Sequence, residues 1–158
     1  MNPLRTGIAA PLSILVGAIM LRADVPLLPI EPVVQLHRVF VGHLNNVSDL
    51  IKSQPPHVVR PYLNDMFSIA NDMCSTMGAL DPLCRAYPQT DNQWRKESFL
   101  PYLLSCREHI QGALKILATT ANSNLPGEVR GEARRLREDV QKMAEWIELL
   151  IVAANSTP

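Results

Sequence analysis

Cys106 and His109 are the pair whose residue types and spacing come nearest to chemistry. In Cys106-Arg107-Glu108-His109 they lie about one helical turn apart, where a thiolate and an imidazole can share a metal ion or act as nucleophile and base. No third ligand accompanies them, and a free cysteine usually behaves as a small buried hydrophobe. Cys106 is therefore expected to fill an apolar seam, with His109 to one side and pointing partly outward.

The remaining histidines offer less. His37, His43, His57 and His109 are preceded at minus three by Val34, Phe40, Gln54 and Cys106, so the Glu-x-x-His pairs of di-metal bundles are absent. There is no His-Glu-x-x-His, no Cys-x-x-Cys-His and no Gly-rich phosphate loop. His37 falls on an apolar helical position. It reads as a hydrogen-bonded core or edge histidine, with pH sensing as the sharper alternative, because burial moves its titration toward lower pH. Nothing pairs a nucleophile with a base or gathers carboxylates near a histidine. The expectation is a non-enzymatic chain with no catalytic, cofactor-binding or metal-binding residues and no evident small-molecule substrate.

Cys74 and Cys84 could form a disulfide if the chain turned back near Pro82, leaving one cysteine over. Three buried thiols in a reducing compartment are the simpler account, which favours an intracellular setting, with secretion or a membrane anchor as the close alternative. Asn46-Val47-Ser48 and Asn155-Ser156-Thr157 match the glycosylation acceptor pattern, but short matches of this kind arise by chance.

The elements that would hold these residues are helices. Apolar residues recur at four-three spacing in four stretches: Val33, His37, Phe40, Leu44, Val47, Ile51; Leu63, Met66, Ala70, Met73, Met77, Leu80; Phe99, Leu103, Cys106, Ile110, Ala113, Leu117; and Val129, Ala133, Leu136, Val140, Met143, Ile147, Leu150, Ala154. That spacing keeps one helix face apolar and favours shallow left-handed packing. Met66, Met73 and Met77 read as core filler rather than as an adaptable groove. No segment alternates with period two over a strand's length, so the fold class is all-α.

Breaks fall at Ser53-Gln54-Pro55-Pro56, at Asp81-Pro82 and at Asn122-Ser123-Asn124-Leu125-Pro126-Gly127. Asp91 or Asn92 can cap the third helix, and Pro101 requires a late start or a bend there. The expected architecture is an antiparallel up-down four-helix bundle over residues 33–158, without the long crossovers of cytokine bundles.

A chain of 158 residues with 47% hydrophobic and 19% charged residues is long enough for a core and too apolar to be disordered. Fifteen Lys+Arg against 15 Asp+Glu give no basic surplus, which argues against nucleic acid as a partner. The run Arg130, Arg134, Arg135, Arg137 is interleaved with Glu128, Glu132, Glu138 and Asp139, as on a solvated face with i to i+4 pairs such as Glu138–Lys142.

Residues 1–32 differ from the rest. Between Arg5 and Arg22 lies an apolar run of about fifteen residues, 7–21, with the arithmetic of a signal-peptide core, a membrane contact or a hydrophobic arm. Pro26, Pro29 and Pro32 then follow at every third residue, which suits a polyproline-II connector or a docking ligand. These prolines and Trp94 are the candidate partner-binding residues. The function expected is an interaction module or complex subunit that binds a protein or a second copy of itself through apolar helix faces. The alternative is an exported or membrane-tethered helical protein whose first 23 or so residues are an address or anchor.

Overall fold

The computed structural model describes residues 28, 30–53 and 55–156; the apolar run 7–21, Pro26, Pro29 and Thr157 of the second acceptor pattern lie outside them. Its long elements are α1 (Glu31–Lys52), α2 (Arg60–Ala86), α3 (Leu100–Asn122) and α4 (Gly127–Asn155). No strand occurs among the described residues, so the fold class is all-α as the periodicity predicts.

The helix starts follow local chemistry. Pro32 and Pro61 sit in the first turns of α1 and α2, where a missing N–H costs no intrahelical bond. Glu31 and Lys52 also place opposite charges at the ends of α1 that suit the helix dipole. The predicted stripes of α2, α3 and α4 are all buried, Met66, Met73 and Met77 among them. Each such aliphatic side chain removed from water is worth about 1.5–3 kcal/mol.

Two expectations need correction. In α1 the inward stripe is Val33, Leu36, Phe40, His43 and Val47; His37 is only half-buried. The true stripe begins one residue off the His37 register, because Leu36 and His43 complete a three-four-three-four series with Val33, Phe40 and Val47. In α2 the helix does not end at Asp81-Pro82 but runs through Pro82 to Ala86. Pro82 forfeits one backbone bond there, while Asp81 and Arg85 pair across it at 3.0 Å and Leu80 and Cys84 keep their faces in the core. The connection that follows is also more structured than a loop. It comprises a tight turn (Tyr87–Gln89), a single turn capped by Asp91, and a wide π-type turn (Arg95–Phe99) leading into α3. The wide turn relaxes the i to i−4 ladder immediately before Pro101, which has no N–H to contribute to it.

The most extensive pairings join α1 with α2 and α3 with α4. Leu36 shares a groove with Trp146 while Asn46 reaches Glu132, so α1 and α4 run antiparallel. On another seam, Asp65 of α2 lies by Ile116 of α3, and Thr76 by Tyr102, again antiparallel.

Candidate functional site: a buried charge cluster between α1 and α4

His43 occupies the inward stripe of α1 and is 6% exposed. Across from it, Glu132 and Asp139 stand seven residues apart on α4, two turns along one face, beside the seam positions Ala133 and Val140. The imidazole spans that gap. Its Nδ1 lies 2.6 Å from Glu132 Oε1 and its Nε2 lies 3.0 Å from Asp139 Oδ2. Two carboxylates at the two ring nitrogens require an N–H on each, which is the imidazolium form.

Each carboxylate has further donors. Glu132 is 1% exposed and accepts bonds from Asn46 Nδ2 at 3.3 Å and from Arg135 Nε at 3.1 Å. Asp139 accepts a bond from Lys142 Nζ at 2.7 Å. Burial opposes a charge on His43, but the hydrogen bonds and charges of Glu132 and Asp139 outweigh it and carry its pKa above the ordinary histidine value. Burial likewise opposes ionisation of Glu132, yet His43, Arg135 and Asn46 together pull its pKa down to about 2. Asp139 is also lowered, its burial outweighed by Lys142 and His43.

Residue spacing alone does not reveal this cluster. It puts Glu132 on a solvated face and gathers no carboxylates at a histidine, whereas the fold brings two to one ring. It also pairs Lys142 with Glu138, whereas the hydrogen bond goes to Asp139. The available signal was an interruption: Glu132 and Asp139 both abut an otherwise apolar seven-residue repeat, and His43 continues the stripe of Leu36 and Phe40.

As chemistry, the arrangement holds charge rather than moving it. Both ring nitrogens of His43 are committed to carboxylates, which leaves no lone pair to accept a substrate proton. The carboxylates lie on opposite edges of the ring, so they cannot converge with it on one ion. Among the described residues no group of three or more His, Cys, Asp or Glu side chains is placed to hold a metal.

The predicted site residues are scattered. Cys106 is buried, while His109 is 59% exposed on its side chain and faces Asp72 at 3.4 Å. Burial raises the Cys106 thiol pKa, and burial together with Cys106 raises the Tyr102 phenol to about 12. Cys74, Cys84 and Cys106 are free thiols. Cys74 and Cys84 ride one unbroken helix about 15 Å apart along its axis, beyond the reach of a disulfide. Trp94 is half-buried, stacked on Phe99 at 5.5 Å rather than standing free. Pro32 lines a groove with Leu36, Val39, Trp146 and Leu149.

Arg95 is a second buried cation, one that residue spacing does not signal. Arg95, 1% exposed, donates from Nη2 to the carbonyls of Tyr87 at 3.1 Å and Thr90 at 2.7 Å, with its Cζ 4.8 Å from the centre of the Tyr87 ring. It ties the connection between α2 and α3 to its own backbone.

No family model, curated protein or solved structure matches the chain.

Proposed function

We propose that the chain is a non-enzymatic interaction module or complex subunit, a closed antiparallel four-helix bundle that binds another protein through apolar helix faces. The observation that carries this reading is the apolar surface of α4. Leu149 and Val152 are each 61% exposed, three residues apart on one face, and Leu149 continues into the groove formed with Pro32, Leu36, Val39 and Trp146. Apolar groups clustered on a surface with tryptophan at their base are the usual make-up of a contact hot spot. The His43 cluster supports the reading from within, by fixing α1 against α4 and so holding the walls of that groove in register.

The test is the native size of the chain in extracts of the cells that make it, compared with a Leu149→Asp/Val152→Asp variant. An assembly larger than one chain that the variant disperses supports the reading. A monomer in both cases overturns it.

The alternative, export or membrane tethering, is favoured by the apolar run 7–21 between Arg5 and Arg22. The intact mass of the protein from its own cells tests it: loss of the first 23 or so residues supports export. Among the described residues, no helix is long and apolar enough to cross a membrane.

A further inference from the structure

We infer that the seam between α2 and α3 is a docking groove for an amphipathic helix of a partner protein that carries lysine or arginine beside its apolar face. This goes beyond the surface proposed above and rests on the same reading of the chain as a binding module.

Across this seam Ser68, Ser105, Gly112 and Ala113 leave an open trough of about 510 Å³. Ile69 and Ala113 are buried at its base, and Ile116 remains 44% exposed along it. Past Asp72 and His109 the trough continues to Thr76 and Tyr102. From Asp65 to Thr76 this is twelve residues of α2, about 16 Å or three helical turns.

Charge selects the occupant. The main trough is lined by the carboxylates of Asp65, Asp72 and Glu108 against one imidazole, His109, with no lysine or arginine. Phosphate backbones and anionic lipid surfaces are repelled by such a lining, whereas lysine and arginine are attracted to it. An extended peptide would need backbone partners that a helix surface does not offer; a helix satisfies its own backbone and brings only side chains. A second copy of this chain is a poor match, because the arginines of α4 are interleaved with Glu128 and Glu138.

Gly112 makes the groove testable, since a Cβ added there meets nothing within 4 Å. The probes are two labelled 18-residue helical peptides with the same leucine–alanine stripe, one flanked by lysines and one by glutamates, titrated into the full chain by fluorescence anisotropy. The lysine peptide is expected to bind at least tenfold more tightly than the glutamate peptide. Gly112→Leu, with helical circular dichroism retained, should weaken it at least tenfold. Should that variant fail to fold, Asp65→Asn/Glu108→Gln provides the second reading, with an expected loss of the lysine preference. Equal binding of both peptides, no binding of either, or indifference to these substitutions overturns the inference. So does concentration-dependent self-association abolished by Gly112→Leu, which would make the occupant a second copy. Failure here with a native assembly still dispersed by Leu149→Asp/Val152→Asp removes the groove alone and leaves the module standing.

Discussion

His43 and Glu132 lie 89 positions apart in the chain and share a 2.6 Å hydrogen bond from the ring Nδ1–H to the carboxylate. With the companion bond to Asp139, it crosslinks α1 to α4 with charged groups where the neighbouring contacts are apolar. Buried charge pairs of this kind add little net stability compared with a well-packed apolar core, but they are costly to break from one side. They also fix register, because a one-residue slip of either helix would leave a charge unpaired.

That asymmetry makes the first prediction. His43→Leu removes one partner and leaves Glu132 with Arg135 and Asn46 alone, and should cost about 3–5 kcal/mol. The double variant His43→Leu/Glu132→Leu should recover part of that loss, since no buried Glu132 is left without its imidazolium, while Asp139 keeps Lys142. Urea unfolding of the two single variants and the double variant measures the coupling. Simple additivity of the losses would remove the cluster's claim to act as a unit.

The same cluster sets a pH window. His43 is raised above its ordinary 6.5, so its contribution is fully present below pH 6.5 and is lost as pH rises through the folded value. Glu132 is lowered from 4.5 to about 2, so its contribution is present above pH 4.5 and is lost as pH falls toward 2. Thermal unfolding midpoints should therefore peak between about pH 4.5 and 6.5 and fall on both sides. In His43→Gln the alkaline decline should flatten. A midpoint that keeps rising from pH 6 to 8 in the unsubstituted chain would contradict this.

Much of the fold is legible in residue spacing. The stripes of α2, α3 and α4 follow from residue spacing alone, because apolar burial on one face of a helix is a local property of the sequence. What was not legible depends on distant partners. Glu132 reads as a surface residue among arginines until the fold sets His43 and Asn46 against it. Arg95 carries no signal in residue spacing, yet the carbonyls of Tyr87 and Thr90 close around it. Asp81-Pro82 reads as a cap and first-turn proline opening a new short turn, and tertiary packing of Leu80 and Cys84 carries the helix across it.

Arg95 supplies a further prediction. Arg95→Met preserves bulk and removes the Nη2 donor to two backbone carbonyls; that of Tyr87 keeps the Thr90 N–H and hydroxyl, so the cost should be about 1–2 kcal/mol. Arg95→Lys should rescue little, since an ammonium cannot reproduce the planar fork over the Tyr87 ring. Denaturant midpoints of both variants check this, and a fully stable lysine variant would mean that charge alone suffices.

The thiols should be sluggish and unequal. Burial, with Asp81 adding to it, pushes the Cys84 thiol up to about 12, and burial raises Cys74 and Cys106 as well. Nucleophilic attack needs the thiolate, so little reactive form exists at pH 7. Cys74 is half-buried where the others are buried, so it should be modified first by a thiol reagent on the folded chain. Reactivity should equalise in denaturant. Mild oxidation of the folded protein should produce no Cys74–Cys84 bridge, which peptide mapping would detect.

Gly78 lies inside α2 on an exposed face, with no heavy atom within 4 Å of an added Cβ. Glycine in a helix interior costs about 0.5–1 kcal/mol relative to alanine, mainly through the freedom of the unfolded backbone. Gly78→Ala should therefore stabilise the chain by about that amount. Gly42 in α1 meets the same open space, so Gly42→Ala should behave alike, and the two gains should add because the sites lie on different helices. Calorimetry of the single and double variants decides it. A loss at Gly78 would mean that the open face is occupied in solution, since nothing within the fold stands in the way of a methyl group there.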